Sequence, residues 1–432
     1  MRTIKLGILI VALTLMSSLA IARPLATTNA EEVGMSTDRL ERITEMTQRY
    51  VDEGKLAGAV TMVARNGKLV HFEAVGNKGA DDERALEKDD LFRIYSMSKP
   101  ITAAAAMQLY EQGKFHMSDP VHKYIPEFKD LKVLNANGEQ VPVENHMTMQ
   151  QLLSHTTGLS YGFNPDGDPV DKFYADANLW GQKDLDGLMA TLGKLPLKFD
   201  PGAQWHYSVA VDVTGAVIER ISGQHFDEYL AENIFAPLGM NDTFFEVPES
   251  KVDRFLPNHY WDAGASKLAT IAGTDGSGVA MQDYSDVSLY SGGGGLVSTA
   301  LDYLRFAEAM RNGGELDGVR ILGAKTVNYM AMNHLPATVT SGGGSGENPL
   351  LGGANGGFGF GLGFGVVTDT VSSGVMGSVG EFNWGGAAGT VFWIDPVEEI
   401  VVVGMVQLMG SPWNLRGDLK VATYQAITDS YE

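Results

Sequence analysis

Arg93-Ile94-Tyr95-Ser96-Met97-Ser98-Lys99-Pro100 stands immediately before a run with helical spacing, residues 100–112, closed by Gly113. A serine at a helix N-terminus feels the positive end of the helix dipole, which favours negative charge developing nearby. Lys99 lies three residues on, one turn up the same face, so its ammonium can approach the Ser96 hydroxyl. Pro100 falls in the first turn, where a missing N–H costs little. The following Ala103-Ala104-Ala105-Ala106-Met107 is small enough to bury deeply, and a buried lysine suits a base or proton relay. Ser-x-x-Lys arises by chance about once in a chain of this size. A capped helix with a surface lysine is the plain alternative.

Outward from this stretch, the pattern reads as an interrupted α/β unit. Residues 56–75 alternate as a hairpin around Asn66-Gly67, the pair a two-residue turn with positive φ demands. Helices are expected at 149–154 behind a Thr148 cap, at 211–221, 226–235 and 301–311, and at 419–427. Residues 358–367, 389–394 and 400–407 read as strands, 291–295 as a flexible turn, and 341–357 as a mobile loop or lid. Strands at both ends with helices between suggest one sheet built from both termini, with the middle helices forming a second lobe inserted into it. The α/β lobe spans about 31–95 and 290–432, the helical lobe about 96–289.

Two further stretches offer chemistry. Tyr207, in Gln204-Trp205-His206-Tyr207-Ser208, sits between a Pro201-Gly202 turn and a helix, where its phenol can face a cleft and take the Ser96 proton. By base rate a core aromatic is commoner there. His206 reads as structural. Phe382-Asn383-Trp384-Gly385-Gly386-Ala387-Ala388-Gly389 places glycines where a ligand can approach backbone, and an N–H there can complete an oxyanion hole with that of Ser96. The alternative is a plain strand-entry turn.

The order and spacing of Ser96-x-x-Lys99, Tyr207 and the Gly-rich strand near 385 resemble the penicillin-recognising serine hydrolases. The closer likeness is to the class C β-lactamase-related group that includes the family VIII carboxylesterases. The resemblance extends over roughly residues 36–427. It is supported by Leu152-Leu153-Ser154-His155-Thr156-Thr157-Gly158-Leu159, by Tyr207-Ser208 with Asp212-Val213, and by Trp393-Ile394-Asp395-Pro396. It implies an α/β (α+β) fold of β-lactamase and penicillin-binding-protein type, an antiparallel sheet formed from both termini and flanked by helices with an inserted mainly helical lobe, with Ser96 as nucleophile, Lys99 and Tyr207 as general-base pair, and backbone N–H groups of Ser96 and Ala387 as oxyanion hole. Two departures bear on substrate. Tyr207-Ser208-Val209 stands where the β-lactamases carry Tyr-x-Asn, and Trp384-Gly385-Gly386 where they carry Lys-Thr-Gly. The lost groups hold a β-lactam's carboxylate and amide side chain. An indole cannot replace that charge-assisted contact, worth roughly 1.5–3 kcal/mol. Trp384 instead offers an apolar wall. With Phe358, Phe360 or Phe364 nearby in sequence, and with Gly385, Gly386, Tyr161 and Phe163, it is expected to bind uncharged acyl esters.

Gly158-Leu159-Ser160-Tyr161-Gly162 fits the Gly-x-Ser-x-Gly pentapeptide of another hydrolase fold, but a helix rather than a strand precedes it, so Ser160 reads as a decoy. The nine histidines show neither H-E-x-x-H nor an i, i+4 pair, so no metal is expected, and no cofactor fingerprint is found.

Composition sets the remaining bounds. The 432 residues are 44% hydrophobic and 20% charged, which excludes disorder and coiled coil. A net charge of -21 makes nucleic acid an unsuitable partner and biases the chain mildly against anions. The absence of cysteine removes disulfides and thiol nucleophiles. Residues 1–22 read as a secretory signal peptide: Arg2 and Lys5, an apolar run at 6–16, then Ala20-Ile21-Ala22 before the cleavage point. The run is too short to span a membrane comfortably. The expected protein is a periplasmic or secreted serine esterase acting on a small-molecule ester. The runners-up are a D-amino-acid peptidase or amidase, a weak β-lactamase, and an inactive peptidoglycan-binding protein on the same fold. Acyl and alcohol preference and oligomeric state have no readable code.

Overall fold

The computed structural model describes residues 24–271, 283–337, 339 and 356–431. The leader at 1–22 and residues 341–355 of the expected lid lie outside these. The sheet strands are β1 (Gly58–Arg65), β2 (Lys68–Gly79), β3 (Asp82–Ala85), β4 (Phe358–Phe360), β5 (Gly365–Val367), β6 (Phe382–Gly385), β7 (Val391–Asp395) and β8 (Ile400–Met405). They form one sheet in the order β4-β5-β6-β7-β8-β1-β2-β3, every neighbour antiparallel. The first hairpin turns at Asn66 and Gly67, with φ of 54° and 71°. The two ends of the chain meet where β1 pairs β8, from Val60 opposite Met405 to Arg65 opposite Ile400.

Alternation along these strands feeds two cores, because successive side chains point to opposite faces. Val60, Met62, Phe392, Ile394, Val401 and Val403 face the larger core, which also takes up helices α2 (Ser98–Glu111), α3 (Ala210–Ser222) and α4 (Ala300–Arg311). Val63, Trp393, Ile400 and Val402 face the second core, beneath α1 (Thr37–Asp52) and α5 (Leu415–Tyr424). With both faces covered, β8 is buried throughout and reads as continuous Ile400-Val401-Val402-Val403 rather than as an alternating strand. Among the described residues no helix is long and apolar enough to cross a membrane, and no group of three or more His, Asp or Glu side chains converges on a metal position.

Some boundaries differ from the sequence reading. The strand expected over 358–367 is two strands, β4 and β5, because Gly361 and a left-handed Gly363 (φ 88°) reverse the chain, with the Gly361 N–H donating to the Phe364 carbonyl at 2.8 Å. The last helix starts earlier than expected, at Leu415, where the Asn414 side chain accepts from the Gly417 N–H. The helix expected over 226–235 turns π-helical across Ala231–Phe235.

His71 on β2 is buried with its Nε2 2.8 Å from Thr61 Oγ1, and burial, followed by the Lys88 charge, lowers its pKa to about 4. An unfolded histidine takes its proton near pH 6.5, so this group costs stability as pH falls from 6.5 towards 4, by up to about 1.4 kcal/mol per pH unit. In urea titrations between pH 7 and pH 4.5, a His71→Asn variant should therefore lose less stability than the parent protein. Identical pH slopes for the two proteins would refute the assignment.

Candidate active site

Tyr95 holds a left-handed backbone conformation (φ 43°) that a non-glycine residue adopts only under constraint. Its ring is buried and its hydroxyl accepts from Asn258 Nδ2 at 2.7 Å. This bend and the 3-10 turn Tyr95–Met97 turn the chain into α2, and Ser96 is left partly exposed at the helix entrance. The alanines of α2 are wholly buried, which lets the helix sit deep in the larger core and carries Lys99 down to 1% exposure. Lys99 Nζ donates to Ser96 Oγ at 3.2 Å and to the Gly293 carbonyl at 2.6 Å. Tyr207 donates its hydroxyl to Ser96 Oγ at 2.6 Å, and Lys99 Nζ lies 4.5 Å from the centre of the Tyr207 ring. The three residues singled out from sequence thus meet at one oxygen.

Behind them stands a residue that the sequence reading gave no role. Asp212, in the first turn of α3, is fully buried. It accepts from Ser291 Oγ at 2.5 Å, from the Gly293 N–H at 3.0 Å and from the Tyr161 hydroxyl at 3.2 Å. Burial raises its pKa, while the Lys99 charge and these donors work the other way. Burial and the Asp212 carboxylate push the Tyr161 phenol well up, so Tyr161 stays a neutral donor. The available signal was one acid in the apolar run Val209-Ala210-Val211-Asp212-Val213, since an acid on a buried helix face needs partners.

The other expected wall residues divide. Trp384 is 2% exposed, with its ring centre 5.5 Å from that of Tyr207 and 5.2 Å from that of Phe360. Phe360 is the aromatic that meets it, while Phe358 lies half-buried two residues along the edge strand. Gly386 is required by contact: a Cβ there would stand 2.5 Å from the Ile94 carbonyl oxygen. This close approach sets Gly386 against the residue that leads into the Ser96 turn, and Ala387 beside it is exposed. Tyr161 stacks with Phe163 and with Trp180, ring centres 5.0 and 6.1 Å away, with Lys99 Nζ 5.2 Å from its ring centre. Phe163, 74% exposed, forms the outer end of this stack. His155 lies under Tyr207 with ring centres 4.9 Å apart. Burial, aided by the Lys99 charge, holds its pKa well below the usual histidine range.

The pentapeptide serine is differently placed. Ser160 is 1% exposed and its Oγ donates to Asp171 Oδ1 at 2.5 Å, while His206 Nε2 stands 3.4 Å away. Asp171 also pairs with Lys198 at 2.7 Å. Burial lowers the pKa of His206 to about 4. A serine, a histidine and an aspartate do gather here, but the serine's proton is committed to the carboxylate and the group has little access to solvent. In a Ser-His-Asp triad the histidine stands between serine and acid.

Residues 43–426 match the Beta-lactamase family model. Esterase EstB of Burkholderia gladioli is 30% identical over 367 residues, covering 82% of this chain and 86% of that protein. Lovastatin esterase of Penicillium rubens is 29% identical over 301 residues, 67% of this chain and 71% of the other. The solved structure of EstCE1, described as a hydrolase with promiscuous acyltransferase activity, superposes with a TM-score of 0.74 at 25% identity, over 90% of this chain and 99% of that one. The family match spans most of the chain and the fold agrees with it, so the chain belongs to the beta-lactamase family and is a serine hydrolase of its esterase- and acyltransferase-like kind.

Proposed function

We propose that this protein is an exported carboxylesterase that works through an acyl-enzyme on Ser96. The observation that carries the reading is the position of Ser96 Oγ, partly exposed and within hydrogen-bond reach of both Lys99 Nζ and the Tyr207 oxygen. In this reading Tyr207 acts as its phenolate, stabilised by the Lys99 ammonium beside it, and takes the Ser96 proton as Ser96 Oγ attacks the ester carbonyl, becoming the neutral phenol. The carbonyl oxygen, now negative, is held by the backbone N–H groups of Ser96 and Ala387. The alcohol departs with the proton from Tyr207, and water then repeats the sequence to release the acid. Trp384 and Tyr161 supply apolar walls for an uncharged acyl or alcohol group, with Phe163 at the rim. The relatives named as esterases support an ester as substrate.

Ser96→Ala should lower kcat for a p-nitrophenyl ester by several orders of magnitude, since covalent catalysis cannot start. Ser160→Ala should keep most of the activity of the folded enzyme, and the reverse pair of outcomes would overturn the reading. Tyr207→Phe and Lys99→Ala remove two parts of one proton-handling unit, so their losses should be strongly non-additive. A double variant whose loss equals the product of the singles contradicts this coupling. The kcat/KM for a short-chain p-nitrophenyl ester should exceed that for a chromogenic cephalosporin by at least about 100-fold, near 2.7 kcal/mol. Equal turnover would show that a group other than a Lys-Thr-Gly edge holds the carboxylate.

A further inference from the structure

Lys99 is a buried cation, yet among the described residues no carboxylate lies within ion-pair distance of it. Its acceptors are Ser96 Oγ and the Gly293 carbonyl. That carbonyl belongs to a turn, Ser291 to Gly295, whose glycines leave it little rigidity of its own. The turn is held from behind. One oxygen of Asp212 takes both the Ser291 hydroxyl and the Gly293 N–H, so Gly293 is gripped by its N–H on one side while its carbonyl grips Lys99 on the other. The second oxygen of Asp212 takes the Tyr161 hydroxyl, fixing the ring that faces Lys99. No side chain fits at position 293, where a Cβ would stand 2.4 Å from Asp212 Oδ2 and 2.6 Å from the Tyr161 hydroxyl.

We propose that Asp212 is a positioning residue for catalysis, clamping the Ser291–Gly293 turn so that the Gly293 carbonyl aims Lys99 at Ser96. The proposal rests on Ser96 and Lys99 acting as described above. Asp212 reaches the reacting atoms only through Gly293 and Lys99. The other ionisable groups facing this unit are Tyr161, Tyr207 and His155, and burial holds the Tyr161 phenol and the His155 imidazole uncharged. Asp212 is thus a buried carboxylate linked to Lys99 through Gly293, and its negative field favours the protonated states of the groups around it.

The test compares Asp212→Asn, Ser291→Ala and the parent enzyme on a short p-nitrophenyl ester across pH 5–9, with thermal melts to confirm folding. Asp212→Asn keeps the shape and removes the charge. It should lower kcat by about 100-fold with KM within about 2-fold, and move the acid limb of the kcat profile to lower pH, because removing a negative charge eases loss of a proton nearby. A merely structural role would lower the amplitude without moving the limb. Ser291→Ala removes one bond of the clamp and should lower kcat several-fold at unchanged KM, which decides the matter if the Asn variant does not fold. Unchanged kcat in the folded variants, an unmoved acid limb in Asp212→Asn, or a raised KM with intact kcat would overturn the proposal. Ser96→Ala separates the two readings: an active Ser96→Ala enzyme overturns the nucleophile assignment, while an inactive one beside a fully active Asp212→Asn overturns only the clamp.

Discussion

A lysine ammonium at 1% exposure has little access to water, so the protein must supply its acceptors. Two are found, the Gly293 carbonyl and Ser96 Oγ, and each comes from a segment remote from the other in sequence. This requirement ties the site together. Ser96 is placed by the Tyr95 bend at the entrance to α2. Gly293 is placed by Asp212 at the start of α3. The two helices pack side by side because α2 presents alanines to its neighbours and Ala103 to Ala106 leave no bulk between backbones.

The sheet supplies the other half of the site through backbone contact rather than charge. β6 ends in Gly385, and Gly386 presses on the Ile94 carbonyl just before the Ser96 turn. That contact exists only because β6 is held in register by β7, β7 by β8, and β8 by β1 from the other end of the chain. Closing the long intervening segment costs loop entropy, which two cores of buried side chains offset. Trp384 alternates onto the same face as Phe382, towards Tyr207, and packs its indole against that ring.

Asp212 and Asp171 are both buried carboxylates beside a serine and a tyrosine or histidine, and they lead to opposite ends. Asp171 accepts from the Ser160 hydroxyl directly and pairs with Lys198, so that cluster is a structural tie. Asp212 takes backbone and hydroxyl donors and leaves the lysine free to meet Ser96. What separates them is which partner stands between acid and serine, a difference of wiring rather than of residue type.

The motif Ser96-x-x-Lys99 was legible because both residues lie within one helical turn, where spacing alone decides that they share a face. Tyr207 was legible as a candidate, since a turn and a helix bracket it. The Asn66-Gly67 hairpin was legible because only positive φ closes so short a turn. The Asp212 bond to Ser291 joins residues 79 apart, and no local pattern encodes that distance. The reversal at Gly361–Gly363 was hidden for a related reason: alternation shows which way side chains point within a strand, not whether the strand continues. Sequence by itself suggested a sheet built from both ends, through periodicity and turn chemistry, and offered Ser96, Lys99 and Tyr207 as candidates through short motifs; the fold family and the joint role of the three came from the resemblance that the order of those motifs carries. Only the tertiary structure decided that Ser160 is buried against Asp171, which aromatic backs Trp384 and which carboxylate steadies the lysine, because burial and contact between distant segments are properties of the packed chain and not of any window along it.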